Sequence, residues 1–273
     1  MSGKKFIDIE TLIESKNPRL LRLLPGFILS YLKRILHEKE INEFLAVHHE
    51  KKNQDFCDAV MKYFNIEVKV HGIEKIPQSG PVILTMNHPL GGMDGIAFIS
   101  AIGAHRKDIK FIVNDILMNL DNLADLFVGV NKHGKNKTSV RKQINDAFAS
   151  EHAICIFPAG LVSRKVNGKI TDLQWKKTFV TYARSMKRKV VPIYIDGKLS
   201  RFFYRLHRLR TTLGIKANIE MLYLSNEMFK QKNKTMHFHV GDPLEGESFK
   251  NEMNEMQAAQ EYKKEVYAIK AKL

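Results

Sequence analysis

From residue 66 onward the chain alternates short apolar runs with longer amphipathic ones. Ile66, Val68 and Val70 interleave with Glu67, Lys69 and His71, the period-two pattern of a half-buried strand. Compact apolar runs then recur at 82–86, 110–113, 127–130, 153–157, 190–195 and 236–240. Between them, 95–104, 138–149 and 175–187 read as helices, and 251–273 as a charged terminal helix. Strands that take turns with helices over short connections predict an α/β fold: a mixed, mostly parallel sheet flanked by helices. The first 64 residues read as helical. The expected division is therefore a helical section, 1–64, followed by an α/β domain, 65–273.

Bulk properties narrow the classes. A chain of 273 residues accommodates one large α/β domain, or a domain plus a helical extension. Two cysteines, Cys57 and Cys155, exclude a disulfide scaffold and a four-cysteine zinc site, and fit a reducing compartment. No secretory signal is read at the start, and no apolar stretch of about 18 residues predicts a transmembrane helix. The segment from Gly26 instead reads as an amphipathic helix, with Phe27, Ile28, Tyr31, Leu32, Ile35 and Leu36 on one face and Ser30, Lys33, Arg34 and His37 on the other. Such a helix packs on its own domain or lies in a membrane interface.

Charge is concentrated. The net charge is +15, and residues 160–210 supply +12 of it, with 14 Lys and Arg against Asp172 and Asp196 alone. Within this stretch Phe202, Leu206 and Leu209 form a helical stripe beside Arg201, Arg205 and Arg208. The pattern suits a solvated basic helix, or a patch for anionic lipid headgroups or an acidic carrier protein.

The stretch richest in chemistry is Asn87-His88-Pro89-Leu90-Gly91-Gly92-Met93-Asp94-Gly95, between an apolar strand and an apolar helix. Histidine is the natural general base near neutral pH. A carboxylate on its second ring nitrogen fixes the tautomer and stabilises the imidazolium that forms. The intervening glycines let the loop curl back so that Asp94 could reach His88. With no serine or cysteine beside the histidine, the nucleophile could be a substrate hydroxyl. The alternative is that Asp94 caps a helix starting at Gly95 and that His88 is a loop histidine.

This stretch resembles the histidine–aspartate block of the glycerolipid acyltransferases, the lysophosphatidic acid acyltransferase superfamily. Three later blocks resemble that family in order: Leu126 to Lys132, Ile156-Phe157-Pro158-Ala159-Gly160 through Ser163-Arg164, and Val190-Val191-Pro192-Ile193-Tyr194. The resemblance implies a glycerolipid-acyltransferase-like fold without a metal or redox cofactor. By it, His88 deprotonates an acceptor hydroxyl that attacks an acyl thioester directly, and Asp94 orients His88. Asn87, Lys132, Gly160, Ser163 and Arg164 become candidates for placing the acceptor head or the oxyanion. The implied donor is an acyl carrier protein or coenzyme A thioester.

Three departures refine the expectation. Five residues rather than four separate His88 from Asp94, Lys132 stands where the family usually has arginine, and Ala159 stands where it usually has glutamate. A lysine offers a point charge rather than a two-pronged fork. The pattern is similar to the haemolysin-like branch that acylates lyso-aminolipids, such as lyso-ornithine or lyso-glycine lipids. The expected function is O-acyl transfer to such an acceptor, on the cytoplasmic face of a bacterial inner membrane, by a peripheral or monotopic protein at an anionic surface. A 1-acylglycerol-3-phosphate acyltransferase is the alternative within the family. A non-catalytic basic lipid- or nucleic-acid-binding protein is the alternative outside it, although no RNA- or DNA-binding signature is present and no nucleic-acid partner is expected.

Other motifs read blandly. Gly129 to Lys135 resembles a phosphate-binding loop, but Asn136 takes the required Ser/Thr place. His237 and His239 share a strand face without a Cys, Asp or Glu at tight spacing, so they read as ordinary strand histidines. Trp175 reads as the core anchor of its helix.

Overall fold

A computed structural model of the chain describes residues 5–114, 120–130, 137–249 and 253–271. It divides into two units, one of residues 1–51 with 199–232, the other of 52–198 with 233–273. Each is built on a different principle.

The first unit is helical: α1 (Ile9–Lys16), α2 (Pro18–Leu23), α3 (Gly26–Ile35) and α4 (Glu38–His48), joined from later in the chain by α9 (Arg201–Thr212) and α10 (Leu224–Phe229). Side-chain acceptors close its helix ends. Asp8 caps α1, Asn17 caps α2 with Pro18 at the first helical position, and Ser200 caps α9. Buried Glu38 accepts from the backbone of Ile9 at 2.9 Å, and Asn42 accepts from Phe6 and Ile7. On α3, Ile35 is buried whereas Phe27 is 74% exposed. Of the sequence stripe on α9, Phe202 and Leu209 are turned outward and Leu206 is half-buried. Phe203, Tyr204 and Arg210 are its buried residues, while Phe202 and Leu209 stand exposed beside Arg201, Arg205 and Arg208. Among the described residues, no helix is long and apolar enough to cross a membrane.

The second unit is a sheet covered by helices. Its elements are α5 (Asn53–Phe64), β1 (Glu67–His71), β2 (Val82–Met86), α6 (Gly92–Ile102), β3 (Ile109–Asn114), β4 (Phe127–Val130), α7 (Lys137–Ala149), β5 (Ala153–Ile156), the hairpin β6 (Arg164–Val166) and β7 (Lys169–Thr171), α8 (Thr178–Ser185), β8 (Lys189–Asp196), β9 (Thr235–Val240) and α11 (Glu255–Lys270). The seven-stranded order is β1-β9-β8-β2-β5-β3-β4. Every pairing is parallel except β8 with β9. β2 and β5 are buried along their whole length, which is why they read as continuous apolar runs, whereas edge strand β1 alternates. One face packs a cluster of Phe148, Trp175, Phe179, Tyr262 and Val266 from the segments of α7, α8 and α11. On the other, α6 sets Phe98 against Phe111 and Phe238.

Two sequence expectations shift. α5 buries Phe56, Cys57, Ala59, Val60, Met61 and Phe64 and packs on α6, so it belongs to the sheet unit; the division falls at Lys51/Lys52 rather than 64/65. The helix expected from Trp175 starts at Thr178. The preceding residues are tied elsewhere: Lys176 N–H donates to the Pro158 carbonyl at 3.0 Å, and Trp175 N–H to the Gln260 side chain.

Candidate active site

β2 delivers Asn87 and His88 to the end of the sheet. Gly91 then takes φ 71° and ψ −139°, a backbone region in effect reserved for glycine, and α6 starts at Gly92. Asp94 therefore sits in the first turn of α6, not at its cap, and its carboxylate points back into the loop. Its Oδ2 accepts from His88 Nδ1 at 3.0 Å and from the Leu90 N–H at 2.9 Å. The capping alternative is set aside by this geometry. With Nδ1 donating, the neutral ring carries its lone pair on Nε2. His88 is 17% exposed and Asp94 fully buried. Burial pushes the Asp94 carboxyl above the usual carboxylate range, against the opposing pull of the His88 hydrogen bond. The imidazole stacks on Phe157, ring centres 4.2 Å apart, which holds its plane.

Behind the dyad stands a residue that sequence reasoning counted only as a charge. Buried Asp172 accepts from the His88 backbone N–H at 3.1 Å and from Ser163 Oγ at 2.6 Å, both on Oδ1, and from Trp175 Nε1 at 2.8 Å on Oδ2. Its own N–H donates to Tyr267 Oη, and its carbonyl accepts from Lys263 Nζ. Burial raises Tyr267, helped by the Asp172 charge, and burial lowers Lys263. Asp172 thus fastens the loop of His88 to the 163–175 segment and to α11. The β6–β7 hairpin places it there. Asn167 and Gly168, both at positive φ, form the two-residue turn, and Arg164 pairs with Thr171. That Asn-Gly pair between short runs is the signal that could have found the hairpin, and with it Asp172.

The other expected site residues distribute as follows. Asn87 is buried and turned to β8: its amide donates to the Ile195 carbonyl at 2.9 Å and accepts from the Ile195 N–H at 2.6 Å, continuing the β2–β8 pairing by one side chain. Ser163 is buried on Asp172, and its N–H donates to the His88 carbonyl at 2.7 Å. Arg164 is buried and donates to the Val162 carbonyl at 2.6 Å. All three are buried, with Asn87 bonded to β8, Ser163 to Asp172 and the His88 carbonyl, and Arg164 to the carbonyl of Val162. Gly160 takes φ 65°, a region that favours glycine; the nearest atom an added Cβ would meet is the flexible end of Lys176, at 3.0 Å. Ala159 lies in the apolar cluster with Trp175, so this block offers no carboxylate. Lys132, and with it the phosphate-loop-like stretch 131–136, lies outside the described residues. Trp175 is a core residue as expected, and its N–H also reaches the Asp172 network.

A histidine–buried-aspartate pair between a parallel strand and a helix N-terminus, at the rim of a mixed sheet, equips this protein for acid–base chemistry. Residues 11–273 match the acyltransferase family model, and the chain belongs to that family; it is an acyltransferase. It is 42% identical over 264 residues to the lyso-glycine lipid O-acyltransferase of Bacteroides thetaiotaomicron, covering 96% of this chain and 97% of the relative. It is 41% identical to the enzyme so named from Phocaeicola vulgatus, covering 96% and 95%. The crystal structure of the 1-acyl-sn-glycerophosphate acyltransferase PlsC from Thermotoga maritima shares the fold, with a TM-score of 0.50 at 18% identity over 96% of this chain and 95% of that one.

Proposed function

We propose that the protein transfers a fatty acyl chain from an acyl thioester to the hydroxyl of a lyso-aminolipid, with a lyso-glycine lipid as acceptor. The carrying observation is the near full-length 42% identity to a lyso-glycine lipid O-acyltransferase. His88 Nε2 takes the acceptor hydroxyl proton as the oxygen attacks the thioester carbonyl. The new C–O bond forms, and the tetrahedral intermediate collapses with loss of the C–S bond. The departing thiolate recovers the proton from His88, so the protein ends unchanged. Asp94 keeps Nδ1 protonated and stabilises the transient imidazolium. No metal or redox group enters this sequence of steps.

The donor is an acyl carrier protein or coenzyme A thioester, both anionic, and the basic 160–210 region supports either. The protein works at an anionic membrane surface, on the cytoplasmic face of a bacterial inner membrane. Exposed Phe27 and Leu23 in the helical unit, and exposed Phe202 and Leu209 beside Arg201, Arg205 and Arg208, support that reading. Basic residues near such a surface contribute about 1 kcal/mol each.

The test is single-turnover transfer with labelled palmitoyl carrier protein and palmitoyl coenzyme A, offered with lyso-glycine lipid, lyso-ornithine lipid and lysophosphatidic acid on anionic vesicles. Transfer to the lyso-glycine lipid, lost in His88→Ala, is expected. Transfer to lysophosphatidic acid alone would overturn the acceptor assignment.

A further inference from the structure

Three histidines outside the acyl-transfer centre converge on the edge of the sheet. β1 and β9 run parallel with His71 opposite His239 and Lys69 opposite His237. Because side chains alternate along a strand, His71, His237 and His239 share one face. His71 Nε2 and His237 Nδ1 are 3.1 Å apart, and one ligand nitrogen from each of the three rings falls within 4.8 Å of the other two. The rings lie nearly parallel, with the His71 and His239 centres 4.6 Å apart. His239 is only 9% exposed, and its Nδ1 is a buried polar atom with no hydrogen-bond partner among the described residues. A buried orphan of this kind is destabilising unless something meets it.

We propose that His71, His237 and His239 form a binding site for a borderline divalent transition-metal ion of the zinc type. Imidazole nitrogens suit Zn²⁺, Ni²⁺, Co²⁺ and Cu²⁺ and do not suit Mg²⁺ or Ca²⁺. A tetrahedral ion with Zn–N bonds of about 2.0–2.1 Å holds its ligand nitrogens roughly 3.3 Å apart. The His71–His237 nitrogens, hydrogen-bonded at 3.1 Å, are near that spacing once an ion displaces the shared proton, and His239 offers a third nitrogen within 4.8 Å of both. Three protein ligands leave one position for water or for Asp196, whose backbone lies opposite His237 on β8. Asp196 also meets Lys270 Nζ at 3.5 Å, so it is an anion held on the same face. The consequence is structural. β1 pairs with β9 alone within the sheet, and an ion held by both would staple this edge strand in place. The site shares no residue with the His88 centre, and the proposal stands independently of the acceptor and donor.

The test uses the full chain, untagged and dialysed against a chelator, titrated with Co²⁺ and with Zn²⁺. One equivalent of Co²⁺ is expected to bind with the visible absorption of a four-coordinate site, to be displaced by Zn²⁺, and to raise the thermal midpoint. His71→Gln, at an exposed position, should weaken binding by at least about 100-fold, since even an outer-shell partner is worth roughly 10–100-fold. His237→Gln should do the same, and His88→Ala should retain full stoichiometry. Absence of saturable binding, or binding unchanged in His71→Gln and His237→Gln, overturns the site. Loss of the equivalent in His88→Ala alone would move the ion to the acyl-transfer centre and also overturn it.

Discussion

Asp172 and Phe27 both break the ordinary rule of polar outside and apolar inside, in opposite senses and in different units of the molecule. Asp172 is a buried carboxylate in the sheet unit, and its oxygens accept three hydrogen bonds, two from nearby Ser163 and Trp175 and one from distant His88. Phe27 is a large apolar ring in the helical unit, 74% exposed, and Leu23 is 79% exposed. The contrast bears on the role proposed for each unit. Buried polarity is tolerated where it fixes the position of a reacting group, because a satisfied network has one geometry. Exposed apolarity fits the proposed contact with a membrane surface, where its cost in water would be recovered.

The largest effect that would sharpen this comparison is at the dyad. His88→Ala should reduce transfer by at least about 1,000-fold, and Asp94→Asn by about 100- to 10,000-fold through the wrong tautomer. The fold of His88→Ala should be intact by circular dichroism, since its ring is partly exposed. A His88→Ala enzyme retaining a tenth of wild-type kcat in single turnover would end the general-base assignment.

Next comes the anchor. Asp172→Ala strands three donors, so unfolding free energy should fall by about 2–4 kcal/mol, read from urea midpoints at constant slope. Ser163→Ala removes one of those bonds and should cost about 1 kcal/mol. If Asp172→Ala were as stable as wild type, the network would not be what holds the His88 loop.

The helical unit should answer to different substitutions. Replacing Arg201, Arg205 and Arg208 together by Gln should weaken binding to anionic vesicles about 100-fold, at roughly 1 kcal/mol each, and raised salt should mimic it. Phe27→Ser should weaken the same binding about 10-fold, from the loss of an apolar contact of about 1.5 kcal/mol, with no drop in thermal midpoint in solution. A lowered midpoint with unchanged vesicle binding would mean that Phe27 serves folding instead.

The smallest effect is at the thiols. Cys57 and Cys155 are buried, and burial pushes the Cys57 thiol up to about 12. Neither should react with a thiol reagent in the native state, and labelling should track unfolding; prompt labelling at native pH would show the sheet unit opening locally.

Much of the sheet was legible because buried strands leave no choice of composition. The 82–86 and 127–130 runs match β2 and β4 residue for residue, and β8 is one residue longer at each end than its apolar run. The pairing of His88 with Asp94 was legible as chemistry, though not as geometry, since spacing alone allowed a helix cap at Gly95. The start of α6 at Gly92 resolved it. The anchoring role of Asp172 was illegible because, although Ser163 and Trp175 are nine and three positions away, the partners that tie it to the His88 loop and to α11 are distant: His88 is 84 positions away and Tyr267 is 95. The outward turn of Phe202 and Leu209 was equally hidden, because a helical stripe gives a face but not the direction in which that face points.

The sequence by itself determined the alternating elements, the basic stretch and the residue types of the dyad, because these follow from composition and periodicity. The tertiary structure alone decided that Asp94 bonds His88 rather than capping a helix and that Asn87, Ser163 and Arg164 are buried and held by hydrogen bonds to Ile195, Asp172 and Val162. It alone gathered His71, His237 and His239 on one edge. Such facts depend on parallel strands and a hairpin bringing distant segments together, and no short-range pattern encodes a long-range contact.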